Sequence, residues 1–400
     1  MNKSNHFTGQ PTFIQLLRLI PRDIIASCVS ELKSDRYYKK FNTWHHLVTM
    51  LFSCYGHCNS LREVVTGMRA LEGRLHTGGI KHLPARSTFS EANASRDSKV
   101  FERIYMSLKM HWDKLLPDSR TGLNPIYIID STVITLFQEI FKGSGSSYAD
   151  GRKKGGLKVH MAVPLHEHSP GIVCVTDGAA NDTSFTKHLS LPMNSTVIMD
   201  RGYRDYNQYN LWSSQKIRWI TRPWENTYYE VTAQEVISQE LQIKGVNLDQ
   251  MVTLGYPQKK TPPVKARIIE YTDEKTRKNF RLLTNDLSGD PFIIIELYRK
   301  RWSIELLFKR LKQNMPLHYF LGDNKNAIQI QIWCALIADL ILNVVLKQIR
   351  RKWAFSNMVN LVRLHLFNYL NLYTFLENPD HCKIVSQPFL KTQLKLSLGG

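Results

Sequence analysis

The chain has 400 residues, 43% of them hydrophobic and 10% aromatic, so it can bury the cores of two or three domains and is not a disordered chain. The formal net charge of +19 at pH 7 predicts a polyanionic partner, most simply nucleic acid. The positive charge lies on both sides of residues 126–205, a block that carries no net charge.

Cysteine usage and hydropathy bear on the compartment. The six cysteines are scattered, and no second ligand pair follows Cys54 and Cys58 at a zinc spacing, so we expect reduced thiols and no structural zinc. The first residues lack the apolar core of a signal peptide. Residues 332–349 are strongly apolar, but Asp339 and Asn343 within them would be costly in a bilayer. We therefore expect a buried bundle helix, no membrane partner and a cytoplasmic protein.

Residues 1–125 are predicted to form a helical N-terminal domain. Ser60 and Glu63 form a capping box that starts one helix, and residues 85–94 and 99–115 have the patterns of two more. A helix, a turn and a short polar helix in a basic block fit a DNA-binding module of the helix-turn-helix type, with Arg86 as a candidate contact. A helical cap on a catalytic domain fits the same pattern equally well.

Residues 126–205 contain several apolar segments of strand length and are predicted to form the first part of a catalytic core. Two segments end in an aspartate: the run IYIID ends in Asp130 and the run STVIMD in Asp200. An unpaired carboxylate at the end of a buried strand is costly to desolvate, and a divalent cation would remove that cost. Either aspartate taken alone is more simply a turn residue at a strand end.

Residues 206–288 begin with a short polar helix and then become β-like, which predicts a β-rich insertion. Trp219 and Trp224 lie among cationic side chains within it. Aromatic residues interleaved with cations suit stacking on an extruded base, so both are candidate DNA-binding residues. The alternative is that one Trp belongs to the core and the other is an ordinary surface aromatic.

Residues 289–375 are predicted to complete the core with helices, followed by a tail at 376–400 with no readable function. Read as one helix, residues 291–314 place Tyr298, Arg301, Glu305 and Lys312 on one face, beside an apolar stripe. A lone carboxylate among cations suits a metal ligand next to phosphate-binding groups. The simpler alternative is an amphipathic surface helix with a solvated basic face.

The order Tyr-x-x-Arg-x-x-x-Glu-x-x-x-x-x-x-Lys, with Asp130 and Asp200 upstream, resembles the DDE transposases of bacterial insertion sequences, and more narrowly insertion-sequence family four. The resemblance implies an α/β fold with an RNase H-like mixed-sheet catalytic core, interrupted by the β-rich insertion and preceded by an α-helical N-terminal domain. In such a fold the first Asp lies on the first strand, the second follows the fourth strand, and the Glu lies on a later helix.

The same resemblance implies Mg²⁺-dependent cleavage and strand transfer on double-stranded DNA, at the terminal inverted repeats of a mobile element and at target DNA. The route would be cut-and-paste through hairpin ends, in a homodimer associated with the bacterial nucleoid. The catalytic residues would be Asp130, Asp200 and Glu305, which would also be the ligands of two metal ions. The ions would be Mg²⁺, or Mn²⁺ as a substitute, because all-carboxylate ligation favours these metals over zinc. Arg301 and Lys312 would neutralise DNA phosphates, and Tyr298 would donate a hydrogen bond to one.

Two other functions stay open. Another RNase H-like nuclease, such as a junction resolvase, would share the carboxylates but would need neither the Tyr-Arg-Glu-Lys pattern nor the long insertion. A non-catalytic DNA-binding protein, including a decayed transposase copy, is disfavoured by the intact set of three acids. Inverted repeats just outside the reading frame would favour a mobile element over both.

Overall fold

The computed structural model describes residues 9–115, 124–135, 156–165, 167, 169–256, 262–317 and 319–381; most of the predicted tail lies outside these residues. The described chain divides into two compact units. One comprises residues 1–108, 314–322 and 330–400, and the other comprises residues 109–313 and 323–329. The first unit is helical and the second contains the β-strands.

Nine strands of the second unit form one mixed sheet in the order β3-β2-β1-β4-β5-β9-β8-β7-β6. The strands are β1 Ile126–Thr135, β2 Gly156–Pro164, β3 Ile172–Asp177, β4 Thr196–Met199, β5 Arg218–Thr221, β6 Tyr229–Gln234, β7 Val246–Leu254, β8 Val264–Thr272 and β9 Asn279–Thr284.

The helices of the described residues, in chain order, are α1 Thr12–Arg18, α2 Arg22–Leu32, α3 Thr43–Gly56, α4 Leu61–Met68, α5 Arg86–Ser95, α6 Lys99–Leu115, α7 Thr183–Thr186, α8 Tyr206–Ser214, α9 Gln239–Ile243, α10 Pro291–Arg299, α11 Trp302–Asn314, α12 Lys325–Gln348, α13 Phe355–Leu364 and α14 Leu372–Glu377.

The first five strands form the RNase H-like core that the sequence predicts. β1, β2 and β3 are an antiparallel meander, and β4 and β5 add in parallel beside β1. The parallel strands are buried apolar runs, as expected for strands covered on both faces; every residue of β4 is buried. The α/β class and the mixed sheet are therefore confirmed.

The β-rich insertion extends this sheet and does not form a separate layer. β5 lies inside the block predicted as insertion, yet it pairs with β4 and belongs to the core. The inserted strands β6 to β9 form an antiparallel meander, and β9 returns to pair with β5. The chain therefore re-enters the core at the same sheet edge from which it left.

The helical unit joins the N-terminal helices to the C-terminal ones. The peptide N–H of Phe13 donates to the carbonyl of Leu366 at 3.0 Å, and the hydroxyl of Tyr55 donates to the carbonyl of Ala338 at 3.3 Å. One half of the predicted capping box is present, because the hydroxyl of Ser60 accepts from the N–H of Glu63 at 3.2 Å. The carboxylate of Glu63 accepts from the N–H of Asn59 at 2.8 Å, one residue before the expected position. The structure thus groups the N-terminal block with the C-terminal helices rather than leaving it as a separate module.

Helix α12 is long and apolar enough to cross a membrane, but 94% of its most apolar 18-residue window is buried inside the protein. Asn343 within it donates to the carboxylate of Asp339 at 2.8 Å. Both features are those of the core helix of a bundle, which is what the sequence predicts for this segment.

The prediction of a single helix over residues 291–314 is wrong. α10 ends at Arg299 and α11 begins at Trp302. At the junction the N–H groups of Arg301 and Ile304 donate to carbonyls three residues back, so the backbone tightens into a 3₁₀-type turn. Residues 291–314 contain no Gly and a Pro only at their start, so the sequence gives no sign of this break.

A buried ion pair fixes the insertion against the start of α10. Arg267 on β8 binds both carboxylate oxygens of Asp249 on β7, at 2.7 and 2.6 Å, and also donates to the carbonyl of Gly289 at 2.6 Å. Both side chains are almost fully buried, with 5% and 6% of their surface exposed. Removing one partner would leave an uncompensated buried charge.

We therefore predict that Asp249→Ala lowers the free energy of unfolding by about 3–5 kcal/mol, measured by urea unfolding followed by tryptophan fluorescence. Glu240→Ala is the matched control, because Glu240 pairs with Lys244 on exposed α9 and should leave the unfolding midpoint unchanged. Equal effects of the two substitutions would contradict this account of the pair.

Candidate active site

Two aspartates come together at the ends of neighbouring parallel strands. Ile129 on β1 pairs with Met199 on β4, so Asp130 and Asp200 occupy the next position along each strand. Asp200 directly follows β4 and precedes a short 3₁₀ turn at Arg201–Tyr203. Asp130 is on the first strand and Asp200 follows the fourth, which are the positions that the resemblance implies.

Glu305 reaches the same place from α11, and Arg301 lies between the acids. The guanidinium of Arg301 is 3.2 Å from a carboxylate oxygen of Asp130 and donates to Glu305 at 2.5 Å. The Arg301 side chain is only 16% exposed, so solvent screens these contacts weakly. The turn between α10 and α11 therefore carries a cation that bridges two of the three acids.

The carboxyl group of Asp130 has a strongly perturbed pKa. Burial, and to a smaller extent the negative charges of Asp200 and Glu305, raise its pKa to about 6. The N–H of Ser131, which donates to Asp130 at 2.8 Å, and the charge of Arg301 oppose this rise. A buried carboxylate that is repelled by two others marks a functional site and binds a cation favourably.

Tyr298 and Lys312 flank the acids. Tyr298, at the end of α10, is 7% exposed, and its buried hydroxyl has no hydrogen-bond partner within the described part of the chain. Burial raises the pKa of this hydroxyl. Lys312 donates to the carbonyl of Val133 on β1 at 3.1 Å, and burial lowers its pKa. Tyr298 is therefore close enough to Asp200 for that charge to raise its pKa further, whereas Lys312 contacts β1 at Val133.

The two tryptophans differ in exposure. Trp219 is fully buried, and its ring stacks on Tyr209 with centroids 4.2 Å apart, so it has no face open to a base. This corrects the expectation that Trp219 contacts DNA. Trp224 is 39% exposed, and its indole N–H donates to the carbonyl of Arg201 at 3.1 Å. The guanidinium of Arg201 lies 4.7 Å from the centroid of the Trp224 ring. A stacking role is therefore open to Trp224 only.

Arg86 is exposed at the first residue of α5 in the helical unit. The neighbouring Ser87, Thr88 and Ser90 are exposed as well, and Phe89 is buried between them. This helix therefore presents a polar surface and one apolar anchor, and its role in DNA contact stays a prediction.

Sequence reasoning missed a polar cluster behind Asp130. The carboxylate of Asp182, in the segment between β3 and β4, accepts from the hydroxyl of Ser131 at 3.0 Å and from Lys158 at 3.2 Å. Arg201 and Arg204, which flank Trp224, were also missed. The run RGYRD after Asp200 is the only sign of the arginines, and nothing local links Asp182 to Ser131, 51 residues away.

The acids fit a divalent cation by their chemistry. Carboxylate oxygens are the donors that Mg²⁺ and Mn²⁺ prefer, and the raised pKa of Asp130 shows that positive charge is favoured here. Among the described residues, no group of three or more His, Cys, Asp or Glu side chains is already spaced to hold a metal ion. Arg301 takes the position of the positive charge between Asp130 and Glu305.

Residues 121–340, more than half of the chain, match the family described as Transposase DDE domain. The chain belongs to the DDE transposase family. It is therefore an enzyme that acts on DNA, and DDE transposase domains generally use divalent metal ions. A second match, over residues 8–81, is to a domain of unknown function (DUF4372).

Two curated relatives are named as transposases. The protein y4zB of Sinorhizobium fredii is 29% identical over 288 residues, which cover 71% of this chain and 78% of the relative. A Synechocystis protein named for the insertion sequence element IS4SA is 29% identical over 336 residues, covering 80% of this chain and 87% of the relative. These relatives agree with a DDE transposase of an insertion sequence.

A solved structure of the piggyBac transposase synaptic complex with hairpin DNA aligns with 94% of this chain and 81% of its own, with a TM-score of 0.41 and 12% identity. A likeness at this level carries no inference about chemistry.

The pKa of Asp130 is about 6 in the folded protein, whereas the ordinary value, which applies to the unfolded chain, is 3.8. The folded state therefore holds the proton more tightly than the unfolded state. The folded protein therefore loses stability as pH rises from about 4 to about 6, by at most about 3 kcal/mol from this group. We predict that Asp130→Asn removes this loss, so the variant gains stability over the wild type as pH rises. Urea unfolding with a chelator present, at pH 4.5 and 7, measures the difference. A difference that does not change with pH would contradict the prediction.

Proposed function

We propose that this transposase binds the terminal inverted repeats of an insertion sequence and cleaves and joins DNA there, with Asp130, Asp200 and Glu305 as its catalytic carboxylates. The convergence of the three acids carries the proposal: adjacent ends of β1 and β4 supply two of them, and α11 supplies the third beside Arg301. An arrangement of this kind, beside basic side chains, is suited to holding cations against a phosphodiester.

Asp130, Asp200 and Glu305 would hold two Mg²⁺ ions, or Mn²⁺ in their place. When bound, these ions would acidify the attacking water or 3′-hydroxyl and stabilise the departing oxygen. The three acids provide the negative charge and orientation for this, and the burial of Asp130 keeps the site poorly solvated, so charges there interact strongly.

Arg301, Tyr298 and Trp224 have the positions to hold the DNA. On DNA binding, Arg301 would release one of its carboxylate partners and bind a backbone phosphate, because its guanidinium suits bidentate contact with phosphate oxygens. The unpartnered hydroxyl of Tyr298 would donate to a phosphate oxygen. The exposed Trp224 ring, next to Arg201 and Arg204, suits stacking on an unpaired base. Lys312 would add positive charge on the α11 side.

The finer steps rest on the family resemblance. We include in the proposal cut-and-paste transposition through hairpin ends by a homodimer in the bacterial cytoplasm. We also include DNA binding by the N-terminal helices, for which the exposed polar surface around Arg86 is the support. The net charge of +19 supports a DNA partner in general but does not choose among these steps.

We predict that Asp200→Asn and Glu305→Gln each abolish cutting of DNA that carries the sequences flanking this reading frame, while DNA binding persists. Each substitution keeps the side-chain shape but removes the charge that holds the cation. Cleavage is measured on end-labelled DNA with Mg²⁺, Mn²⁺ or chelator, and binding by gel shift. The charge-matched control is Asp177→Asn, because Asp177 is exposed. Asp249→Asn would be unsuitable, because it breaks a buried ion pair.

Three outcomes separate the functions. Metal-dependent cutting at the ends, lost in both variants but kept in the control, supports the proposal. Binding without cutting in any metal would indicate a non-catalytic or decayed copy. Cutting of branched DNA without regard to the ends would indicate a junction-resolving nuclease.

A further inference from the structure

The strongest feature outside the three acids is the polar cluster centred on Asp182, which we name the Asp182 cluster: Ser131, Lys158, His160, Asp182 and Tyr203. Its members come from β1, β2, the segment after β3 and the turn after β4. Asp182 accepts from the hydroxyl of Ser131 at 3.0 Å and from the ammonium of Lys158 at 3.2 Å. Its side chain is 26% exposed and that of Lys158 is 15% exposed.

A direct chain of hydrogen bonds runs from Asp182 to Asp130. The hydroxyl of Ser131 donates to Asp182, while the peptide N–H of the same Ser131 donates to the carboxylate of Asp130 at 2.8 Å. Asp182 holds the side chain of Ser131, and the backbone of Ser131 binds the carboxylate of Asp130. The two bonds together restrict the rotation of the Asp130 side chain. Asp182 therefore contributes to the orientation of Asp130 without touching it.

The cluster also reaches the turn that carries Asp200. The second carboxylate oxygen of Asp182 lies against Gly202, where an added Cβ would come within 3.2 Å of it. The hydroxyl of the next residue, Tyr203, lies 3.3 Å from the ring nitrogen Nδ1 of His160. Because both aspartate-bearing segments contact the cluster, it can set the spacing between Asp130 and Asp200.

The remaining contacts hold Asp182 in place. Lys158 also donates to the carbonyl of Ala180 at 3.0 Å, two residues before Asp182. His160 is fully buried, accepts or donates at Thr176 at 3.0 Å and stacks on Phe185. Burial lowers the pKa of His160 to about 4, so near neutral pH it is a neutral packing group and Lys158 is the cation that pairs with Asp182.

We propose that Asp182 is a positioning residue of the active site: through Ser131 and the turn at Gly202 it sets the orientation and separation of Asp130 and Asp200, and so the affinity for the divalent cation. The inference rests on the proposed function of those two aspartates. Asp182 acts in this account through Ser131 and Lys158, which both donate to its oxygen Oδ1, and not as a metal ligand. Second-layer hydrogen bonds of this type commonly change metal affinity by 10–100-fold.

The test uses the full-length protein and measures Mn²⁺ binding directly, by the loss of the free-ion signal in electron paramagnetic resonance. Asp182→Ala should raise the half-saturating Mn²⁺ concentration about 10-fold or more. Asp182→Asn keeps an oxygen that can accept from Ser131, so its rise should be clearly smaller. Asp177→Asn is the matched control, because Asp177 is also paired with a lysine but lies at the exposed end of β3.

A double-substitution cycle distinguishes positioning from a general effect of lost negative charge. If Asp182 acts through Ser131, then Ser131→Ala alone weakens Mn²⁺ binding, and the variant with both substitutions binds no more weakly than Asp182→Ala. A simple charge effect of Asp182 would instead add to that of Ser131→Ala. Should Asp182→Ala fail to fold, by circular dichroism, then Asp182→Asn and Ser131→Ala carry the test.

Single-turnover cleavage keeps this inference separate from the proposed function. Excess Mn²⁺ should restore cutting by Asp182→Ala but not by Asp200→Asn. Cutting by Asp200→Asn would overturn the proposed function itself. The positioning role alone would be overturned if Asp200→Asn loses cutting but Asp182→Ala keeps the wild-type affinity for Mn²⁺. Additive effects of the two substitutions in the cycle would also overturn it.

Discussion

The cost of burying the negative charge of Asp130 next to Asp200 and Glu305 is the constraint on which the arrangement of the catalytic unit depends. Asp130 is buried beside Asp200 and Glu305, and its raised pKa reports the cost of placing negative charge there. Arg301 offsets part of that cost by bridging Asp130 and Glu305 from the turn between two helices. The same guanidinium would be drawn to a DNA phosphate once other cations satisfy the acids. The bridging of Asp130 and Glu305 by Arg301 and the proposed chemistry therefore have a common electrostatic origin.

The sheet provides the rigid frame for these charges. Parallel pairing of β1 with β4 sets two aspartates side by side, a relation that no local contact could fix. Asp200 and Glu305 are 105 residues apart in sequence but not in space, because the insertion leaves from β5 and returns through β9 to the same strand. α10 begins seven residues after β9, so the long insertion ends where the glutamate-bearing helix is needed.

The strands that carry the two aspartates could be predicted from the sequence, because each has a recognisable local pattern of residues. Apolar β-branched runs predict β1 and β4, and the aspartates that end the IYIID and STVIMD runs give two of the three acids. Long-range relations escaped prediction. The break before Trp302 has no Gly or Pro to announce it, and β5 could be assigned to the core only by its pairing with β4. Burial of Trp219 depends on stacking with Tyr209, and the role of Asp182 depends on a contact across 51 residues.

The central claim is that Asp130, Asp200 and Glu305 together hold the two catalytic divalent cations. Iron-mediated cleavage of the polypeptide tests it most directly: Fe²⁺ is bound in place of Mg²⁺, ascorbate and peroxide generate hydroxyl radicals at the ion, and the fragments are identified by mass spectrometry. The account predicts cuts close to positions 130, 200 and 305, suppressed by excess Mg²⁺ and lost at all three positions in Asp200→Asn. Cuts confined to other parts of the chain, or cuts near these positions that Mg²⁺ does not suppress, would contradict it.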